Sequence, residues 1–119
     1  MMELDLNELN GLSKEELLLM LVDGTVKYTN ISKVALLNKD YLKAHNELVR
    51  VQNIFTELMV TLDQSVGQWA KDMYKVYEFI KHELVKADIN KDIKIIDDIL
   101  PIVEQIRDTR SEERRVGKE

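Results

Sequence analysis

Apolar residues recur three and four positions apart along most of this chain, a spacing that places them on one face of an α-helix. The clearest such seam predicts a helix over about 41–63, and it consists of Ala44, Leu48, Val51, Phe55, Leu58 and Leu62. The same spacing predicts helices over about 14–38, 66–88 and 91–109. The last of these is the least regular, because it contains Pro101 and an isoleucine-rich start that could also form a strand.

Polar residues with helix-capping chemistry precede three of the four segments. Ser13 and Glu16 form a capping-box pattern before the first helix, and Asp40 is placed to cap the second. Asn90 and Asp92 are expected to cap the fourth. Gly24 lies inside the first helix, where Gly costs about 1 kcal/mol relative to Ala, so we expect close packing of another helix against it.

Four helices of similar length joined by short links favour antiparallel neighbours. The sequence therefore predicts an all-α fold, an antiparallel up-down-up-down four-helix bundle over residues 13–110. Residues 1–12 would form an N-terminal arm, and residues 111–119 a charged tail of foreign-looking composition that we exclude from the fold.

Every predicted helix also carries apolar residues away from its principal seam. These residues are Leu18, Val22, Val49, Ile54, Val60, Trp69, Tyr74, Val76, Phe79, Ile95, Ile99, Ile102 and Ile106. Two interpretations are open: a wide core could absorb them, or they could form an exposed groove that binds another chain.

Composition excludes several classes of function. The chain has no cysteine, so disulfides and thiolate metal sites are excluded. Its net charge of −5 disfavours nucleic acid as a partner. No apolar run reaches the roughly 18–20 residues of a membrane span, and the acidic start lacks signal-peptide features, so we expect a cytoplasmic protein without membrane insertion.

The sequence offers little catalytic or metal-binding chemistry. Glu78 and His82 lie one helical turn apart, but a bundle di-metal site needs two such pairs and further carboxylates. The segment from Asp88 opens like a calcium loop, but Ile93 stands where that loop needs Gly. We therefore expect no metal, no cofactor and no enzymatic activity. A histidine phosphotransfer bundle using His82 remains a less favoured alternative.

Several segments, in this order and spacing, resemble the flagellar secretion chaperone family FliS. They are residues 17–24 (LLLMLVDG), 39–41 (KDY), 52–54 (QNI), 84–92 (LVKADINKD) and 106–109 (IRDT). The chain departs from the family pattern at Val22, where the family usually has Tyr, and at Arg110, where it usually has Trp. The resemblance ends at Arg110.

The resemblance implies a cytosolic chaperone of the flagellar type III export pathway. Such a chaperone binds the disordered C-terminal segment of flagellin, prevents its premature polymerisation and keeps it competent for export. Components of the export apparatus would be further partners. The alternative is a diverged bundle that binds another client or self-associates as a homodimer through the same apolar faces.

The client groove is expected on the second and third helices. Its candidate residues are Ile54, Leu58, Leu62, Met73, Tyr74 and Tyr77. Ile54 and Tyr74 are the stronger candidates because they lie off the seams. The other four lie on the seams, where burial in the core is the competing interpretation.

Overall fold

The computed structural model describes residues 11–117, with side chains up to residue 112. It contains four helices and one 3₁₀ turn, namely α1 (Lys14–Leu37), α2 (Tyr41–Thr61), the turn Gln64–Val66, α3 (Gln68–Asn90) and α4 (Ile93–Gly117). No strand occurs between residues 11 and 117. The all-α prediction is confirmed, and the isoleucine-rich start of the fourth segment is helical.

The helices are arranged as an antiparallel four-helix bundle, as predicted. α1 packs against α2 and α4, and α3 packs against the same two helices, so α1 and α3 lie diagonally across the bundle. A salt bridge of 2.6 Å from Lys33 to Asp97 connects α1 to α4. A contact of 2.6 Å between His45 and Asp88 connects α2 to α3.

The predicted caps of the first two helices are confirmed. Ser13 and Glu16 exchange side-chain and backbone hydrogen bonds in a capping box. The Asp40 carboxylate accepts a hydrogen bond from the backbone N–H of Lys43. At the fourth helix the prediction is half right, because Asp92 accepts from the backbone N–H of Lys94 whereas Asn90 is the last residue of α3.

The boundaries of α3 and α4 differ from the predictions by two residues or more. α3 begins and ends two residues later than expected, since Gly67, with φ of 151°, precedes it and Lys91 closes it in the left-handed conformation. α4 continues eight residues past the predicted end at 109, to Gly117. Residues 110–117 are rich in Arg and Glu and contain no Pro, a composition that continues a helix.

Arg110 ties the later part of α4 to α3. Its guanidinium donates a hydrogen bond of 3.0 Å to the Tyr77 hydroxyl and lies 5.6 Å from the centre of the Trp69 ring. Both contacts are with α3, so α4 stays packed on its neighbour at the point where the sequence resemblance ends.

The core contains the predicted seams. The seam residues of α2 from Ala44 to Leu58 are buried, and Tyr77, Ile80, Leu84 and Ala87 of α3 face them. Gly24 of α1 lies against Ile54 of α2, and a Cβ atom added at Gly24 would be 3.0 Å from the Ile54 Cδ1. The prediction that Gly24 permits close helix packing is therefore confirmed.

Candidate functional site

Three of the six predicted groove residues belong to the core of the bundle. Ile54, Leu58 and Tyr77 are each at most 2% exposed. Ile54 is covered by α1 at Gly24. The Tyr77 ring packs at a tilt against Phe55, with ring centres 5.8 Å apart. In this structure these three side chains offer no surface to another chain.

The other three predicted residues are partly exposed. Leu62 and Met73 pack with one side against the core and keep the rest of their surface in solvent. Tyr74 is also partly exposed and lies outside the core cluster. The structure thus divides the predicted set into buried and accessible halves, and its role in partner binding stays a prediction.

A surface groove lies between α2 and α3. Met59 of α2 lines it on one side, and Glu78, Lys81, His82 and Val85 of α3 line it on the other. Tyr74 lies one turn before Glu78 on α3, and Leu62 caps the end of α2 three residues after Met59, so we extend the groove to include both. We call these seven residues the α2–α3 groove.

A second depression lies on α2, nearer the start of that helix. Asn46, Val49 and Asn53 line it together with His45 and Arg50. His45 Nδ1 lies 2.6 Å from the Asp88 carboxylate, which also accepts a 2.8 Å hydrogen bond from Lys91. This cluster holds the start of α2 against the end of α3.

An additional apolar surface follows the other side of α3. Trp69 and Phe79 of α3 are nearly half exposed, Ile102 of α4 is 37% exposed, and Val76 is partly exposed. The contact of Arg110 with Trp69 places this side of α3 toward α4. We call these four residues the α3–α4 strip.

The α3–α4 strip was not among the predicted site residues, although a signal for it was present. All four of its members lie off the principal seams, which is the feature that distinguished surplus apolar residues in the sequence. Val22, Ile54, Ile99 and Ile106 share this feature, but the structure buries them, as the wide-core interpretation allows. The position of an apolar residue on its helix therefore indicates that it lies off the seam, but not whether a neighbouring helix covers it.

A third apolar surface lies where α1 meets α2. Val34, Leu37 and Leu42 are more than half exposed there. Ile31 and Val34 line a shallow depression with Asn38 and Lys43. We call the set Ile31, Val34, Leu37 and Leu42 the α1–α2 corner.

The described side chains do not assemble into a metal site or a phosphotransfer site. Among residues 11–112, no group of three or more His, Asp or Glu is placed to hold a metal ion. His82 is exposed, but Lys86 pairs with Glu83 at 3.3 Å, and Ala87 is fully buried. The neighbours that suggested phosphotransfer are thus occupied elsewhere.

Within the described part, no helix is long and apolar enough to cross a membrane.

The fold is a helical bundle with solvent-accessible apolar surfaces between its helices. The family model of the flagellar protein FliS matches residues 5–113, so the chain belongs to the FliS family. The flagellar secretion chaperone FliS of Bacillus subtilis (strain 168) is 29% identical over 102 residues, which cover 86% of this chain and 76% of that protein. The family match extends to residue 113, three residues beyond Arg110, where we placed the end of the resemblance.

Proposed function

We propose that this chain is a cytoplasmic export chaperone of flagellum assembly. Its client is the disordered C-terminal segment of flagellin, which it keeps from polymerising and holds competent for export. Membership of the FliS family and similarity to a flagellar secretion chaperone support the export role. The groove between α2 and α3 is the observation that supports binding of a client segment there.

The groove suits a client that folds as it binds. Met59, Leu62, Tyr74 and Val85 expose apolar surface along two antiparallel helices. An amphipathic helix can place anchors spaced three and four residues apart into such a surface. The loss of conformational entropy when a disordered segment becomes ordered opposes binding, so the complex needs a large contact area. A client that continued around α3 onto the α3–α4 strip would enlarge this area.

Calorimetric titration with a flagellin C-terminal peptide tests this function. We expect binding with a negative heat-capacity change, because apolar surface is buried. The variant M59S/V85S should weaken binding at least about tenfold, since it removes two apolar anchors from the groove. The matched control V34S/L37S removes two exposed apolar residues from the α1–α2 corner and should bind as the wild type does.

Two results would contradict the proposal. Absence of binding at tens of micromolar would exclude flagellin as the client. Equal losses for M59S/V85S and V34S/L37S would exclude the α2–α3 groove as the binding surface. Pull-down of export-apparatus components with the chaperone–flagellin complex tests the further partners that we propose.

Self-association is the second candidate function, and the α1–α2 corner favours it. Leu42 is 73% exposed and Leu37 is 59% exposed, so this corner leaves large apolar side chains in water. A homodimer through the corner would shift the sedimentation coefficient with concentration, and L37S/L42S would abolish that shift. If the wild-type chain sediments as a monomer at about 100 μM, a dimer with a Kd well below that concentration is excluded.

A further inference from the structure

The exposed face of α3 beside the α2–α3 groove carries unpaired positive charge. Lys71 and Lys75 are exposed and Lys81 is partly exposed. None of the three forms an ion pair with a residue in the described part of the chain. We call them the α3 lysine row.

Two of the four acidic residues of α3 are engaged away from this row, and a third, Asp72, lies beside it and keeps its charge. Glu83 pairs with Lys86 at 3.3 Å. Asp88 contacts His45 and Lys91. Asp72 accepts a hydrogen bond of 2.9 Å from Gln68. Glu78 is the acidic residue of α3 that lines the groove. The three lysines outnumber Glu78 and Asp72 on this face of α3, in a chain of net charge −5.

The lysines border the apolar line of the groove on both sides. Successive residues turn by about 100° around a helix. Lys81 therefore lies on the α2 side of the line from Tyr74 to Val85, and Lys71 and Lys75 lie on the opposite side. This line is about 16 Å long at 1.5 Å per residue, which matches three turns of a bound helix.

We propose that the α2–α3 groove selects a client segment that folds into an amphipathic helix with Asp and Glu bordering its apolar stripe. The α3 lysine row supplies the complementary charges. This inference rests on the proposed chaperone function and adds a charge rule to it. Charge complementarity of this kind mainly fixes the orientation of the bound segment and discriminates between partners, and it raises the binding affinity less.

Two synthetic 18-residue peptides can measure this selection. Both carry the same leucine stripe, one bordered by Glu and the other by Lys. By fluorescence anisotropy at low salt we expect the Glu peptide to bind at least about tenfold tighter, because three exposed charge pairs each contribute modestly. The preference should shrink at 500 mM NaCl, since salt screens exposed pairs.

Charge-removal variants assign the preference to particular lysines. K71Q/K75Q/K81Q should bind both peptides equally. K14Q/K39Q/K94Q removes three exposed lysines from elsewhere on the bundle and should keep the wild-type preference. Circular dichroism checks that both variants remain folded. Equal binding of the two peptides by the wild type, or equal effects of the two variants, would overturn the inference.

The flagellin C-terminal peptide separates this inference from the proposed function. If that peptide binds with an affinity that neither salt nor K71Q/K75Q/K81Q changes, the charge rule is wrong and the chaperone function stands. If the Glu peptide binds through the lysine row and the flagellin peptide does not bind, the groove selects acidic helices and flagellin is not its client.

Discussion

Gly24 of α1 and Ile54 of α2 form a close contact that a single substitution can probe. Replacing Gly by Ala inside a helix stabilises it by about 1 kcal/mol, but the new Cβ would lie 3.0 Å from the Ile54 Cδ1. We expect G24A alone to give less than this gain. In an I54V background, which removes Cδ1, G24A should give the full gain.

Urea unfolding of the two single variants and the double variant measures this coupling. We expect an interaction free energy of at least about 0.5 kcal/mol, typical of residues in contact. A value near zero would mean that the Ile54 side chain shifts at no cost, so that Gly24 is not needed for the packing.

Glu47 introduces a pH dependence from within the α1–α2 interface. Burial raises the pKa of its carboxyl group, and nearby Lys43 and Lys27 offset this only in part. A raised pKa means that the contribution of Glu47 to stability is complete below its ordinary pKa and is lost as pH rises through the folded-state pKa. The glutamine side chain of E47Q does not titrate, so the unfolding free energy of this variant minus that of the wild type should rise from pH 4 to pH 7.

At any one pH, the difference in unfolding free energy between E47Q and the wild type also depends on Arg50. Its guanidinium pairs with Glu47 at 3.1 Å and is itself largely buried, so E47Q removes its partner. Only the slope with pH therefore tests the pKa. E57Q, which removes an exposed carboxylate from the same helix, is the matched control. If the unfolding free energy of E47Q minus that of the wild type decreased as the pH rises, this result would contradict the raised pKa of Glu47.

Single positions show where sequence patterns stop being informative about the site. The seams of α2 and α3 indicated that Leu58 and Tyr77 could be core, and they are buried. Ile54 lies off its seam and is buried all the same, because α1 approaches it at Gly24. Periodicity assigns a residue to a face of its own helix, whereas its burial depends on which other helix covers that face.

At the level of helices, Asp88 joins α2 to α3 through side chains. It is nearly buried and contacts both His45 and Lys91. D88A should destabilise the fold by about 1–3 kcal/mol, because it leaves these polar partners without their acceptor. H45A and D88A should be non-additive in thermal or urea unfolding. D72A, on the exposed face of the same helix, should cost at most about 0.5 kcal/mol.

Helix number, order and most boundaries could be predicted from the sequence, because amphipathic periodicity and capping are local properties. The end of α4 could not. Its continuation to Gly117 depends on composition that carries no apolar stripe, and Arg110 anchors it through Tyr77 and Trp69 on another helix. Contacts between residues 33 positions apart leave no trace in local periodicity.

At the level of the whole molecule, the surplus of apolar residues is distributed over separate surfaces. The α2–α3 groove and the α3–α4 strip lie on the two sides of α3, and the α1–α2 corner lies on the face opposite the α3–α4 strip. α3 thus has accessible apolar surface along both of its sides. A client that wraps around α3 could use both surfaces while α1 keeps the core closed.

Client binding of this kind should stabilise the whole bundle, because the groove exists only when α2 and α3 are packed together. A ligand that binds the folded state alone, at a free concentration one hundred times its Kd, adds about 2.7 kcal/mol to the free energy of unfolding. For a domain of this size that corresponds to a rise in Tm of about 10 °C. Scanning calorimetry with the flagellin C-terminal peptide should show this rise for the wild type and for V34S/L37S, and a much smaller one for M59S/V85S. If the peptide is present at one hundred times its Kd at the unfolding temperature and Tm is still unchanged, it binds the unfolded chain equally well, and the assembled groove is not the site of recognition.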